Sequence, residues 1–386
     1  MITSNFIRAA ICSTALLSVT PAFAQAVDET YETADGEAIQ VTTVIDGLAE
    51  PWGFQQLPDE TWLITEKEGA LRMLSADGAL SEPISGTPEV DARDQGGLLD
   101  VAIDPDFEEN RFVYLSFSEP GEDDTNSTAL FKARLSDDGT ALEDGEVIFS
   151  QQPKVASTMH YGSRIVFDGD GHVFLTMGER SDEEFRAQAQ DLDSHLGKIV
   201  RLNLDGSVPD DNPFVDQEGA LPEIWSYGNR NVQAAAWNAE TGTLWEIEHG
   251  PRGGDELNNI EPGNNYGWPL VTEGVNYDGS TIGEGEATME GVTDPVLTWT
   301  PVIAPSGMII YDGEAFPEWQ GDVFVGGLAS AALVRVDVEG DTVEEGERFL
   351  EDLAFRIQDV AQGADGMIYV ITDDTNGQVL RIAPAD

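Results

Sequence analysis

The sequence predicts an all-β fold, a six-bladed β-propeller, from three observations. One unit recurs six times: an aliphatic or β-branched run, a turn rich in Asp and Gly, then a strand carrying an aromatic residue. The copies follow one another at roughly 45–80 residues, the spacing of propeller blades with insertions. Helix signals are thin, and only Glu183 to Leu196, in a polar insertion, reads as helical.

The first unit runs from Trp52-Gly53-Phe54 through Pro58-Asp59 to Trp62-Leu63-Ile64, and the second from Val101-Ala102-Ile103 through Asp104-Pro105-Asp106 to Phe112-Val113-Tyr114-Leu115. The third pairs Ile165-Val166-Phe167 with Val173-Phe174-Leu175 across Asp168-Gly169. Ala235-Ala236-Trp237 with Leu244-Trp245 makes the fourth, and Met308-Ile309-Ile310 with Val323-Phe324-Val325 the fifth. Val360 and Ile368-Tyr369-Val370, either side of Asp365-Gly366, close the series. Asp-Gly between apolar runs suits tight hairpins that need positive φ. A lone blade cannot bury both faces, so neighbours must stack around an axis, and the first strand of the mature chain is expected to complete the last blade. The acidic, Gly-rich stretch from Asp278 to Gly291 reads as an exposed loop.

Ahead of the first unit, Arg8, the apolar run from Ala9 to Val19 and the small-x-small triplet Ala22-Phe23-Ala24 read as a secretory signal peptide over residues 1–24. The alternative is a retained N-terminal anchor. Residues 25–386 then form one propeller domain, expected to be periplasmic or secreted, with no membrane insertion. The single cysteine, Cys12, falls inside the leader, so disulfides and thiolate metal sites are not expected in the mature chain. A formal net charge of −54 argues against nucleic acid and anionic membranes as partners.

Chemistry must come from few residues. Of four histidines, His172 sits at a strand start and reads as surface, and His195 lies in the polar insertion and reads as structural. His160, in Met159-His160-Tyr161-Gly162-Ser163, stands just before a blade's first strand, where loops gather around the axis; a neutral imidazole there takes a proton from an alcohol, or else it only packs. Gln95-Gly96-Gly97 also precedes a strand. In Gly228-Asn229-Arg230-Asn231, an Arg-Asn pair offers a guanidinium fork and an amide to carboxylates, the alternative being a turn that satisfies its own backbone. The segment from Glu248 through His249, Gly250, Pro251 and Arg252 to Asp255-Glu256 joins acids to carbonyls in a Gly/Pro loop, a setting for a hard cation and for calcium best. Asp168 to Glu179 mimics an EF-hand loop, but His172 and Val173 occupy its fifth and sixth positions and strands flank it, so it is a decoy.

Together these segments resemble the soluble pyrroloquinoline quinone (PQQ)-dependent glucose/sorbosone dehydrogenase family, most closely its periplasmic aldose sugar dehydrogenase branch. The matching elements are Gln95-Gly-Gly-Leu-Leu, His160-Tyr-Gly, Gly197-Lys-Ile-Val-Arg-Leu, Tyr227-Gly-Asn-Arg-Asn231, the Glu248 to Glu256 block, Asn265-Tyr-Gly-Trp-Pro269 and Pro305-Ser-Gly-Met308. The resemblance implies oxidation of an aldose at its anomeric carbon to a lactone, with PQQ and calcium as cofactors and an unknown later electron acceptor. It casts His160 as general base, Glu179 as the carboxylate orienting it, and Arg230 as the group polarising the carbonyl that accepts hydride. Gln95, Arg230, Asn231, Tyr277 and Arg356 take cofactor-binding positions, and Gly250, Pro251, Glu256 and Tyr266 calcium-associated ones.

Two positions depart from that pattern. Gly327-Leu328-Ala329-Ser330 lacks the lysine some members carry, and Gln358 stands where a second cofactor arginine is expected. Arg335 or Arg252 is the candidate replacement. Two other functions stay open from the residues alone: a calcium-dependent, lactonase-like propeller hydrolase and a non-catalytic propeller binding module.

Overall fold

The computed structural model describes residues 26–385 except Asp35 and Asp341; the expected leader therefore lies outside the described residues. Six small antiparallel sheets form a ring, a six-bladed β-propeller. Blade 1 has three strands between residues 51 and 74, and blades 2 to 5 have four each, between 98–150, 165–227, 232–299 and 305–349. Blade 6 combines Ile357–Gln362, Ile368–Thr372 and Gly377–Pro384 with the N-terminal strand Ala38–Leu48, and Asp28–Glu32 adds an outer strand. Val41 pairs with Ile382 and Thr43 with Leu380, so an N-terminal strand completes the last blade, but it is the second described strand that does so, with Asp28–Glu32 outside it.

All six recurrent units supply the two innermost strands of a blade. The second of these is buried along its length, as in Trp62–Glu66 and Ile368–Thr372, because a neighbouring blade covers each face. Six apolar clusters, one at each junction, replace a single central core. Between blades 1 and 2, Leu63 and Leu71 meet Leu98, Val101 and Leu115; between blades 6 and 1, Ile371 and Val379 meet Phe54 and Trp62. Each fully buried side chain of this kind contributes about 1.5–3 kcal/mol, so no blade stands without its neighbours.

The axis is filled by charge. Arg164 Nη1 reaches Asp100 Oδ1 at 3.0 Å and Asp359 Oδ1 at 3.1 Å, all three buried. The innermost strands come so close that a Cβ on Gly307 would lie 1.7 Å from Asp359 Oδ1.

The insertion read as helical from Glu183 to Leu196 is helical only over Glu183–Arg186, continued by a 3-10 turn Ala187–Gln190. Buried Lys198 ends it, its Nζ donating to the carbonyls of Gln188 (2.8 Å), Ala189 (3.0 Å) and Leu196 (2.7 Å). The 278–291 segment is an exposed loop save for buried Ile282.

Candidate active site

In an antiparallel blade the start of the first strand and the end of the second lie at the same end of the ring. The segments before residues 51, 98, 165, 232, 305 and 357 therefore meet the segments after residues 66, 176, 248, 327 and 372 around one mouth. They enclose an axial cavity of about 280 Å³, whose lining includes Trp52, Gln95, Tyr161, Asn231, Arg356 and Gln358. Leu99, Ser163 and Gln358 line it, and the next residues along, Asp100, Arg164 and Asp359, form the axial ion triad.

His160 is buried beside this cavity with φ 51°, a left-handed conformation that non-glycine residues adopt at a cost. Surrounding contacts hold it there. Gln95 Oε1 accepts its backbone N–H at 2.8 Å, and Arg180 Nε donates to the preceding carbonyl, Met159 O, at 2.9 Å. The Arg180 guanidinium, fully buried, also donates to Asn126 Oδ1 (2.6 Å) and stacks 3.9 Å over the Tyr161 ring. His160 Nδ1 lies 2.8 Å from Glu179 Oε2, which also accepts the Ser181 N–H at 2.5 Å. Burial pushes the imidazole's pKa down, against the pull of Glu179 and with the help of Arg230. Burial pushes Glu179 up, but the contact with His160 and the nearby Arg230 outweigh it and hold Glu179 low. A neutral ring donating Nδ1–H to a carboxylate satisfies both, and leaves the Nε2 lone pair basic. Glu179, at the end of the decoy motif, is thus the buried partner of His160, while Asp168 Oδ1 caps the Asp170 and His172 N–H groups of an ordinary turn.

Arg230 and Asn231 sit on a second buried carboxylate. Glu248 accepts the backbone N–H of Arg230 and, at 3.2 Å, that of Asn231. Arg230 Nη1 donates to the carbonyls of His249 and Gly250, both at 2.9 Å, and the guanidinium stacks 5.1 Å over Trp268. Among the described residues its buried Nε–H has no acceptor, so the fork keeps a donor for an anionic guest. Asn231 Oδ1 accepts from Gly162 N (3.1 Å) and Gln233 Nε2 (3.3 Å). His249 lines the cavity too, donating to Pro305 O at 2.6 Å; burial pushes its pKa down to about 3, so it is neutral.

Beyond Arg230, a pocket of about 10 Å³ is bounded by Glu248, Gly250, Pro251, Glu256 and Tyr266. Two carboxylates, Glu248 and Glu256, line it, and Glu246 is close enough to Glu248 for the two to repel. Burial, then mutual repulsion with Glu248, pushes Glu246 and Glu256 well up, and burial takes Glu248 to about 7. Next to the pocket, though not lining it, Glu246 Oε2, Asn229 Oδ1 and Asn258 Oδ1 are buried without a donor among the described residues. Surplus oxygen acceptors fit a hard cation. No group of three or more His, Cys, Asp or Glu is arranged as a metal cage among the described residues, so a cation here would need backbone carbonyls as well. The Tyr266 hydroxyl is committed to Asn259 O and Glu261 N, both at 2.8 Å, which leaves its carbonyl for a cation.

Several sequence expectations fall elsewhere. Tyr277 is 73% exposed in a turn of the long loop and is not brought to the cavity, because the Arg252–Val275 backbone pairing and the Arg186–Asn276 hydrogen bond (2.9 Å) hold that loop outside. Arg335 pairs with Asp337 at 2.7 Å in blade 5, and Arg252 is exposed; neither lines the cavity. His172 is tied to Asp168 at 2.7 Å, and His195 is buried and accepts the Gln152 N–H at 3.1 Å. Lys67, Glu50 and Asp373 line the mouth without having been singled out in the sequence. Their signal was positional, since each ends or precedes one of the recurrent strands.

A propeller with a buried His–carboxylate pair beside a guanidinium, opening on an axial cavity, defines a class of propeller enzymes with one site at one mouth. The chain belongs to the Glucose / Sorbosone dehydrogenase family, whose profile matches residues 48–381, and is an oxidoreductase. It is 45% identical over 348 residues to the aldose sugar dehydrogenase YliI of Escherichia coli K12, covering 90% of this chain and 93% of that one. The apo crystal structure of the soluble aldose sugar dehydrogenase from Escherichia coli superposes with a TM-score of 0.87 at 45% identity, over 90% of this chain and all of that one. A PQQ-bound aldose sugar dehydrogenase from Streptomyces coelicolor superposes at 0.71 and 28% identity, over 89% and 98%.

Proposed function

We propose that this enzyme oxidises aldoses at the anomeric carbon to lactones, using PQQ held with calcium in the axial cavity. The observation that carries the reading is the His160–Glu179 pair at 2.8 Å, buried beside Arg230. Bound PQQ supplies a two-electron acceptor. His160 Nε2 takes the proton of the anomeric hydroxyl as the C–H bond breaks, and Glu179 fixes the tautomer and steadies the imidazolium that forms. Arg230, clamped by two carbonyls and by Trp268, keeps its Nε–H fixed towards developing negative charge. Gln95 acts through the backbone of His160, holding the ring in place. The cofactor would be held by Gln95, Asn231 and Arg356, which line the cavity, with Arg230 next to Asn231; Tyr277 is left out, being exposed outside the cavity. Calcium would be held by the carbonyls of Gly250, Pro251 and Tyr266 with Glu256, the Gly250 oxygen being shared with Arg230 Nη1. Residues 1–24 fit an export signal, giving a periplasmic or secreted domain over 25–386.

The test is dye-linked oxidation of a sugar panel by apoprotein with PQQ and calcium added singly and together. Turnover is expected only with both, and magnesium should replace calcium poorly because it demands tighter octahedral geometry. Full turnover after exhaustive chelation, or none with any aldose, overturns the reading.

A further inference from the structure

The chain lacks both a lysine at 327–330 and an arginine at 358, yet the proposed cofactor carries several carboxylates. Among the described residues lining the cavity, Lys67 and Arg356 are the two with a permanent positive charge. They come from adjacent blades, Lys67 just after Trp62–Glu66 and Arg356 just before Ile357–Gln362. Each faces an acid that also lines the cavity, but on different terms. Arg356 grips Asp373 through Nε at 2.7 Å and Nη2 at 2.6 Å. Lys67 Nζ stands 3.8 Å from Glu50 Oε1, beyond hydrogen-bond length.

The Lys67 backbone is fixed. Its N–H donates to Glu50 O at 3.1 Å, and its carbonyl accepts the Leu98 N–H at 2.9 Å. Gly97, at φ 147°, is the position it lies against: a Cβ there would meet Lys67 O at 2.3 Å and Lys67 Cγ at 2.7 Å. The second glycine of Gln95-Gly96-Gly97 thus makes room for the lysine stem. The side chain is 21% exposed and that of Glu50 42%, so the lysine is the more covered of the two and its partner keeps a solvent-facing side. An incoming carboxylate can take the ammonium from Glu50 at small cost, since a loosely paired acid of this exposure returns to solvent.

We propose that Lys67 is a cofactor-holding residue: its ammonium moves from Glu50 to a carboxylate of the bound quinone, supplying the cation missing from residues 327–330. This rests on the PQQ reading above. A charge-assisted contact here acts on cofactor affinity rather than on the chemical step.

The experiment is equilibrium titration of apoprotein with PQQ in calcium, read by quenching of tryptophan fluorescence (Trp52 lines the cavity) and by calorimetry, at low and high salt. Lys67→Gln is expected to weaken binding about 10-fold at low salt and to flatten its salt dependence. Lys67→Arg should keep affinity within about 3-fold. Glu50→Gln should tighten binding, since it removes the competitor, a sign that a merely structural lysine would not produce. Thermal unfolding of each variant checks that the fold is intact. Wild-type protein that binds no PQQ sinks the cofactor reading and this assignment with it. Wild type that binds, with Lys67→Gln equal to it and Glu50→Gln no tighter, overturns the Lys67 assignment alone.

Discussion

The two sides of the cavity are built by opposite rules. On the side of blades 3 and 4, His160, Glu179, Arg180, Arg230 and Glu248 are all buried, each held by two or more partners. On the side of blades 6 and 1, Lys67, Glu50, Arg356 and Asp373 are partly exposed and pair within their own blades, Lys67 with Glu50 and Arg356 with Asp373. Preorganised buried groups serve chemistry, because they need no rearrangement when charge develops. Exposed pairs exchange partners cheaply and serve the docking of a charged guest. On the proposed function, the contrast gives the chemical step to the first side, which also grips the cofactor through Arg230 and Asn231, and the capture of the cofactor's remaining charge to the second.

The sharpest way to break that division is His160→Gln. Turnover should fall by about 10²–10⁴ with PQQ affinity unchanged, measured by titration beside single-turnover kinetics. A loss of affinity with intact turnover would reverse the roles of the two sides.

Glu179→Gln should cost less, about 10–100-fold in kcat, and should move the pH profile. Burial already holds the His160 pKa below the usual imidazole value, and Glu179 pulls it back up. Removing the carboxylate lets burial act with less opposition, so the acidic limb of kcat/KM should shift to lower pH even as the plateau drops. An acidic limb that moves to higher pH would contradict the buried-neutral state of His160.

On the mouth side, Gln358→Arg should tighten PQQ about 10-fold and steepen its salt dependence, leaving kcat within a factor of about 2, while Ala329→Lys, whose role Lys67 takes, should add little. No gain would mean that Lys67 and Arg356 already satisfy the carboxylates. The smallest effect belongs to His172→Gln, half-buried and tied to Asp168 on neither side of the cavity, where turnover should match wild type.

Much of this organisation was legible in the chain. The six units located every pair of inner strands, and the closing N-terminal strand followed from the need to cover the last blade's edge. His160 and Gln95 stood out because they precede blade strands, where an antiparallel blade turns its loops to one mouth, and Arg230 because it forms an Arg-Asn pair at a strand end. The overextended helix at 183–196 shows the limit of local pattern: buried Lys198, from the following strand, ends the helical turns by taking their carbonyls. Tyr277 shows another, since its placement depends on how a long exposed loop is tethered.

By itself, then, the sequence determined the blades, their order and the mouth at which chemistry is possible, because strand periodicity and Asp-Gly turns act between near neighbours in the chain. Only the tertiary structure decided what each side chain does there. Glu248 supports Arg230 and Asn231, Arg180 holds the strained backbone before His160, the Tyr266 hydroxyl turns away from the small pocket, and Lys67 rather than Arg335 or Arg252 reaches the cavity. Each of these depends on direction and burial set by separate blades or loops coming together, and hydrogen bonds and desolvation respond to that spatial closeness, which local pattern does not encode.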